Sequence, residues 1–300
     1  MTRSVALAHL VRLEDGLSEG IWAGHTLRSA FQPIYGVQDE RLEIVAYEGL
    51  LRAFRGEEPI PPMAFFTSIP ALDRLHVETL TRTLHLLNAA VSLEDTASIF
   101  VNFNPSVFTE PGIADIALRD MRLVLHEAGI DAGRVVCEVT EQQSASEEVL
   151  SAFVEALRGN GFRIAVDDYG AADSDIARVA ALKPDIVKFD AHWMNRLMDS
   201  DPGFLLLQTM VRAFEDRGIR TVFEGIEEAW QIDMAVEAGA SMLQGYALAR
   251  PELAVLRQGE TKTNFHFLRS VSPHPAPPIP QVVRHSQKSV RSFGKRAAQQ

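Results

Sequence analysis

Short apolar runs rich in Val, Ile and Phe alternate along this chain with longer stretches of helical period, and glycine repeatedly marks the handover. Helices ending in Gly are expected at "HEAGI" (126–130), "RGNGFRIAV" (158–166), "EDRGIRTVF" (215–223) and "EAGAS" (237–241), because Gly after a helix takes the left-handed cap. Strands are expected where those caps hand over, the first of them at "RVVCEVT" (134–140), and at "SIFVNFN" (98–104) and "DIVKFD" (185–190). Upstream, "TLRSAFQPIY" and "LEIVAYEGLLRAF" add two more, which makes eight. Between them, "DRLHVETLTRTLHLLNAAV" (73–91) and "EEVLSAFVEALRG" (147–159) have the period of amphipathic helices.

Eight βα units in one body fit a (β/α)8 barrel of the TIM type better than an open doubly wound sheet, since no Gly-rich phosphate loop follows an early strand. Chemistry in such a barrel sits where the strands end. The residues read there are Gln32, Glu48, Asn102, Glu138, Asp167 with Asp168, Lys188, Glu224 and Gln244. Any one of them could be a helix N-cap, but a polar residue at every end is hard to obtain from stability alone.

Composition adds the setting. The single cysteine, Cys137, forms no internal disulfide and sits beside Val135 and Val136, so a packing role in a reducing, cytoplasmic compartment is expected. No apolar stretch is long enough to span a membrane. Residues 261–300 carry seven Lys/Arg and no Asp/Glu, while the first 260 hold 22 basic against 40 acidic side chains. That acidity excludes general nucleic-acid binding. With "SPHPAPPIP" at 272–280, residues 259–300 read as a Pro-rich basic tail without a core, at most a weak contact for a polyanion or a membrane surface. Residues 1–24 read as an N-terminal extension and 25–258 as the barrel.

Five carboxylates on one rim would repel and raise each other's pKa unless cations neutralise them. All are hard oxygen donors, with no His or Cys, which favours Mg²⁺ or Mn²⁺ over zinc or copper. Asp167 and Asp168 would point to opposite faces of a regular strand. Both reach one site only if the strand stops and the backbone turns, and Tyr169 and Gly170 are suited to that turn. Adjacent carboxylates at such a corner can flank two metals for in-line attack on a phosphodiester, with Lys188 orienting the attacking water or a phosphate oxygen.

These residues resemble one family. "FQPI" (31–34), "AYEGLLR" (46–52), "VNFN" (101–104), "CEVTE" (137–141), "VDDYG" (166–170), "VKFD" (187–190), "FEGIE" (223–227) and "QGYALARP" (244–251) follow the order and spacing of EAL-domain proteins over roughly residues 25–255. The resemblance implies a modified barrel with one antiparallel strand and an enzyme, a cyclic di-GMP phosphodiesterase releasing linear pGpG with two Mg²⁺ or Mn²⁺ ions. It implies Glu48, Asn102, Glu138 and Asp167 as ligands of the first metal, with Asp167 shared and Asp168 on the second. Glu224, Lys188 and Gln244 take catalytic roles in it, and Glu141 anchors the loop after the Asp pair. Gln32, Leu50, Arg52 and Asp190 fall where the family's substrate-holding residues lie, and a homodimer is an option. The alternative is an inactive EAL-fold cyclic di-GMP receptor or protein-interaction module. It is motivated by departures from the family pattern, namely Gly49 for Ala, Ala191 for Arg, and Ala172-Asp173 for a Gly and an aromatic.

Overall fold

In the computed structural model of the chain, the described residues are 10–38, 41–104, 112–140, 147–171, 179, 181–257 and 265–266. The strands are β1 (Leu10–Arg12), β2 (Ser18–Trp22), β3 (His25–Gln38), β4 (Arg41–Arg55), β5 (Glu58–Ile60), β6 (Ser98–Phe103), β7 (Val135–Thr140), β8 (Arg163–Tyr169), β9 (Ile186–Phe189), β10 (Arg220–Phe223), β11 (Met242–Leu243), β12 (Glu252–Leu253) and β13 (Phe265–His266). The helices are α1 (Pro62–Ser68), α2 (Arg74–Ser92), α3 (Ile113–Ala128), α4 (Glu147–Gly159), α5 (Ala191–Met198), α6 (Asp201–Glu215) and α7 (Ala229–Ala238).

Eight of these strands close a barrel in the order β3-β11-β10-β9-β8-β7-β6-β4, with β4 pairing back onto β3. Six neighbouring pairs, from β4·β6 round to β10·β11, run parallel. Strand β3 runs antiparallel to both of its neighbours, β4 and β11. Its direction follows from chain length. Only two residues separate β3 from β4, which permits a hairpin but no crossover.

The inside of the barrel is layered. One apolar layer takes a residue from each strand: Ile34, Ala46, Phe100, Val136, Ala165, Ile186, Val222 and Met242. Side chains alternate with a period of two, so the next inward position is two residues on. Those positions are Glu48, Asn102, Glu138, Asp167 and Lys188 on five of the parallel strands, Glu224 and Gln244 just past the ends of β10 and β11, and Gln32 on antiparallel β3. The intervening outward positions, among them Val101, Cys137, Val139, Val166, Val187, Phe189 and Phe223, bury against the helices in the main core. Each large apolar side chain so buried contributes roughly 1.5–3 kcal/mol. Stability is therefore carried below and around the polar layer.

Two strand ends differ from the sequence expectation. Gln32 and Glu48 lie in the middle of long strands, because the β3–β4 hairpin continues past the barrel mouth and recruits β1, β2 and β5. One face of this projection packs Leu27, Leu51 and Ala53 on Phe65 of α1 and on Val77, Leu80 and Leu84 of α2. The other face overhangs the site. Residues 10–22, within the stretch read as an extension, are hydrogen-bonded into this sheet, and Phe265 and His266 pair with β4. Residues 267–300 lie outside the described residues. Among the described residues no helix is long and apolar enough to cross a membrane.

Candidate active site

At the centre of the polar layer stands the Lys188 ammonium, fully buried on β9. It lies 2.7 Å from Glu224, 3.2 Å from Asp167 and 3.5 Å from Glu48, and it is also paired with Glu138. Burial alone would push Lys188 down, but Asp167, Glu138, Glu224 and Glu48 outweigh it and hold the ammonium well above its ordinary value. It stays charged. One ammonium cannot balance four carboxylates. Burial first, and then the neighbouring charges of Glu48 and Asp167, push the Glu138 carboxyl well up despite Lys188. Burial also raises Glu224, which Lys188 opposes.

The Asp pair turns as the chemistry requires. The β8–β9 register slips between Val166 and Tyr169, and Asp168 itself takes φ +56°, a left-handed angle uncommon for a residue with a side chain. The turn thus begins one residue earlier than Tyr169 and Gly170. Oxygen atoms of Asp167, Asp168 and Glu224 come within 4.8 Å of one another. Asp168 is exposed on the rim, and partial burial together with Asp167 raises its carboxyl. Gly170 continues the turn at φ +100° with its Cα against the Trp193 ring, which leaves no room for a Cβ.

The other residues read as site residues lie as follows. The Gln244 amide donates to Glu48 Oε2 at 2.7 Å and fixes its orientation. Asn102 is exposed at the end of β6, and its carbonyl faces buried Arg82 at 3.5 Å. Leu50 and Arg52 follow Glu48 at intervals of two, so they line the overhanging face of the hairpin. Arg52 donates to the Leu51 carbonyl at 2.9 Å. Gln32 is directed to the Ala249 carbonyl at 3.2 Å, and it ties the segment after Gln244 across the mouth. Asp190 caps α5 by accepting the Trp193 N–H at 2.8 Å. Glu141 and residues 172–178 lie outside the described residues.

The donor set fits hard divalent cations. Glu138 Oε2 and the Gln244 amide oxygen are buried with no hydrogen-bond donor in reach among the described residues. Such orphaned acceptors beside excess negative charge are costly unless a cation meets them. Sequence reasoning missed one neighbour of the site. His85 of α2 is buried directly behind Gly49.

Comparison with known proteins agrees with this fold. The EAL domain family profile matches residues 14–251. Among curated relatives, the probable cyclic di-GMP phosphodiesterase PdeN of Escherichia coli is 26% identical over 227 residues, covering 74% of this chain and 43% of that protein. The EAL-domain containing protein YkuI of Bacillus subtilis is 27% identical over 269 residues, 86% of this chain and 63% of that protein. The chain thus spans less than two thirds of the length of these relatives. Among solved structures, a calcium and cyclic di-GMP complex of BlrP1 from Klebsiella pneumoniae superposes with a TM-score of 0.68 at 25% identity, over 77% of this chain and 57% of that one. A standalone EAL protein of Vibrio cholerae bound to cyclic di-GMP shares the fold, with a TM-score of 0.67 at 23% identity over 77% of this chain and 94% of that one.

Proposed function

The chain belongs to the EAL domain family, and from that premise we propose that it is a divalent-cation-dependent phosphodiesterase opening cyclic di-GMP to linear pGpG. The observation that carries the reading is the polar layer itself, in which four carboxylates surround the buried Lys188 ammonium and two buried acceptors have no donor among the described residues. Glu48, Asn102, Glu138 and Asp167 would hold one Mg²⁺ or Mn²⁺. Asp167, Asp168 and Glu224 would hold the second. When bound, the cations supply charge stabilisation to the phosphodiester and a nucleophile near neutral pH.

The chain's own groups supply the rest. Lys188, kept protonated by its carboxylates, orients the attacking water or a phosphate oxygen from below. Gln244 holds Glu48 in place. Leu50 offers an apolar shelf above the rim, and the Arg52 guanidinium offers a fork of donors for phosphate. Buried Cys137, its thiol pushed up by its apolar surroundings, takes no part and suits the cytoplasmic setting. A second reading, binding without turnover, is favoured by Ala172 and Asp173 in the loop after Asp168.

Incubation with cyclic di-GMP and chromatography of the products separates the two readings. Mg²⁺ or Mn²⁺ should yield pGpG, whereas Ca²⁺, larger and looser in coordination, should support binding alone. Glu48→Ala or Asp167→Ala should lower kcat by more than about tenfold, a loss above roughly 1.4 kcal/mol. Turnover in excess chelator would overturn the reading. Binding of cyclic di-GMP with no turnover in Mg²⁺ or Mn²⁺ would select the receptor.

A further inference from the structure

Gly49 follows Glu48 in the signature strand, and what lies behind it is specific. A Cβ built at Gly49 would meet His85 Cγ at 2.9 Å, Cδ2 at 3.0 Å and Cβ at 3.1 Å. Cβ and Cγ are at the root of the His85 side chain, where a change of rotamer moves little, so a methyl group at position 49 forces either the strand or α2 to shift. The ring is also pinned at its other side. His85 Nδ1 and Ser29 Oγ are 2.8 Å apart, and the Asn88 amide donates to the same hydroxyl at 3.1 Å. Asn88 closes the set on β2, accepting the Ser18 N–H at 2.7 Å and donating to the Ser18 carbonyl at 2.9 Å. Phe31 stands edge-on to the imidazole at 6.3 Å.

All four polar residues of this set are buried. It joins β2, β3 and α2, and it meets β4 behind Gly49, one residue from Glu48. A satisfied buried network of this kind fixes relative positions more sharply than apolar packing does. We propose that His85 is a positioning residue for Glu48 and for the Leu50–Arg52 face, its ring filling the place of a side chain at position 49 while Ser29 and Asn88 hold it. The proposal rests on the reading of Glu48 as a cation ligand. Burial, and secondarily the Arg52 charge, push the imidazole down to about 3, in keeping with a neutral packing group.

A double-mutant cycle on the full chain tests this, with Gly49→Ala, His85→Ala and the double variant, reading Mn²⁺ affinity by calorimetry and the metal-free thermal midpoint. Gly49→Ala should weaken Mn²⁺ binding about tenfold by displacing the strand at Glu48, and the double variant should recover to within about threefold of the unaltered chain. His85→Gln, which keeps bulk and a partner for Ser29, should bind Mn²⁺ more tightly than His85→Ala. Unchanged Mn²⁺ affinity in Gly49→Ala, or single losses that simply multiply in the double variant, would overturn the proposal. Should Gly49→Ala not fold, a folded double variant supports it, and equal affinities for His85→Gln and His85→Ala overturn it. Every reading is taken without turnover. A chain that binds Mn²⁺ but leaves cyclic di-GMP intact would therefore overturn the proposed activity and still judge His85.

Discussion

Asp168 at φ +56° and Gly170 at φ +100° make one tight corner, and the corner rests on the Trp193 ring, which occupies the place where a Gly170 Cβ would stand. Gly170→Ala should therefore destabilise the protein by roughly 2 kcal/mol or more in urea unfolding, combining a steric clash with a strained angle. Asp168→Asn should leave stability nearly unchanged, since Asn tolerates the left-handed region, while activity falls with the lost charge. If both variants lose stability equally, the corner is not held by Trp193. The need for a turn at this place was legible in the sequence, because two adjacent carboxylates can share a site only if the strand stops. That Asp168 itself would turn was not. The platform comes from α5, more than twenty residues on, and local pattern carries no trace of it.

The contact between α2 and the β3–β4 hairpin gives a pH dependence of known sign. His85 has its pKa lowered from 6.5 to about 3 by burial first and by the positive charge of Arg52 second. The unfolded chain takes up a proton near pH 6.5 and the folded one only near 3. The contribution to stability is thus fully present above 6.5 and is lost as pH falls towards 3. Urea unfolding at pH 7 and pH 4.5 should show the unaltered chain losing roughly 2.5 kcal/mol more than His85→Gln, at about 1.4 kcal/mol per pH unit below 6.5. Equal losses would mean that the imidazole is not held neutral. Helices α2 and α4 stand within one residue of their sequence expectation, at 74–92 and 147–159. That one strand would run antiparallel followed only from family resemblance, which did not single out β3. Its physical signal was nonetheless present, in a gap between "FQPIY" and "LEIVAY" too short for any crossover. Strands β1, β2 and β5 escaped notice because three to five residues are too few to display a period.

Across the whole molecule, two layers of eight positions divide the work of the barrel. The apolar layer from Ile34 to Met242 closes the interior, and the layer above it concentrates charge that the fold alone does not balance. The polar positions were legible because each follows a short apolar run, and only Gln32 and Glu48 were misplaced, as mid-strand residues of a hairpin that overruns the mouth. The arrangement predicts two divalent cations on cyclic di-GMP, sharing Asp167. Anomalous scattering from crystals grown with Mn²⁺ and the dinucleotide tests this most directly. Two manganese peaks are expected, one among Glu48, Asn102, Glu138 and Asp167 and the other at Asp168 and Glu224. A rim without manganese, or manganese bound away from Asp167, would contradict the account.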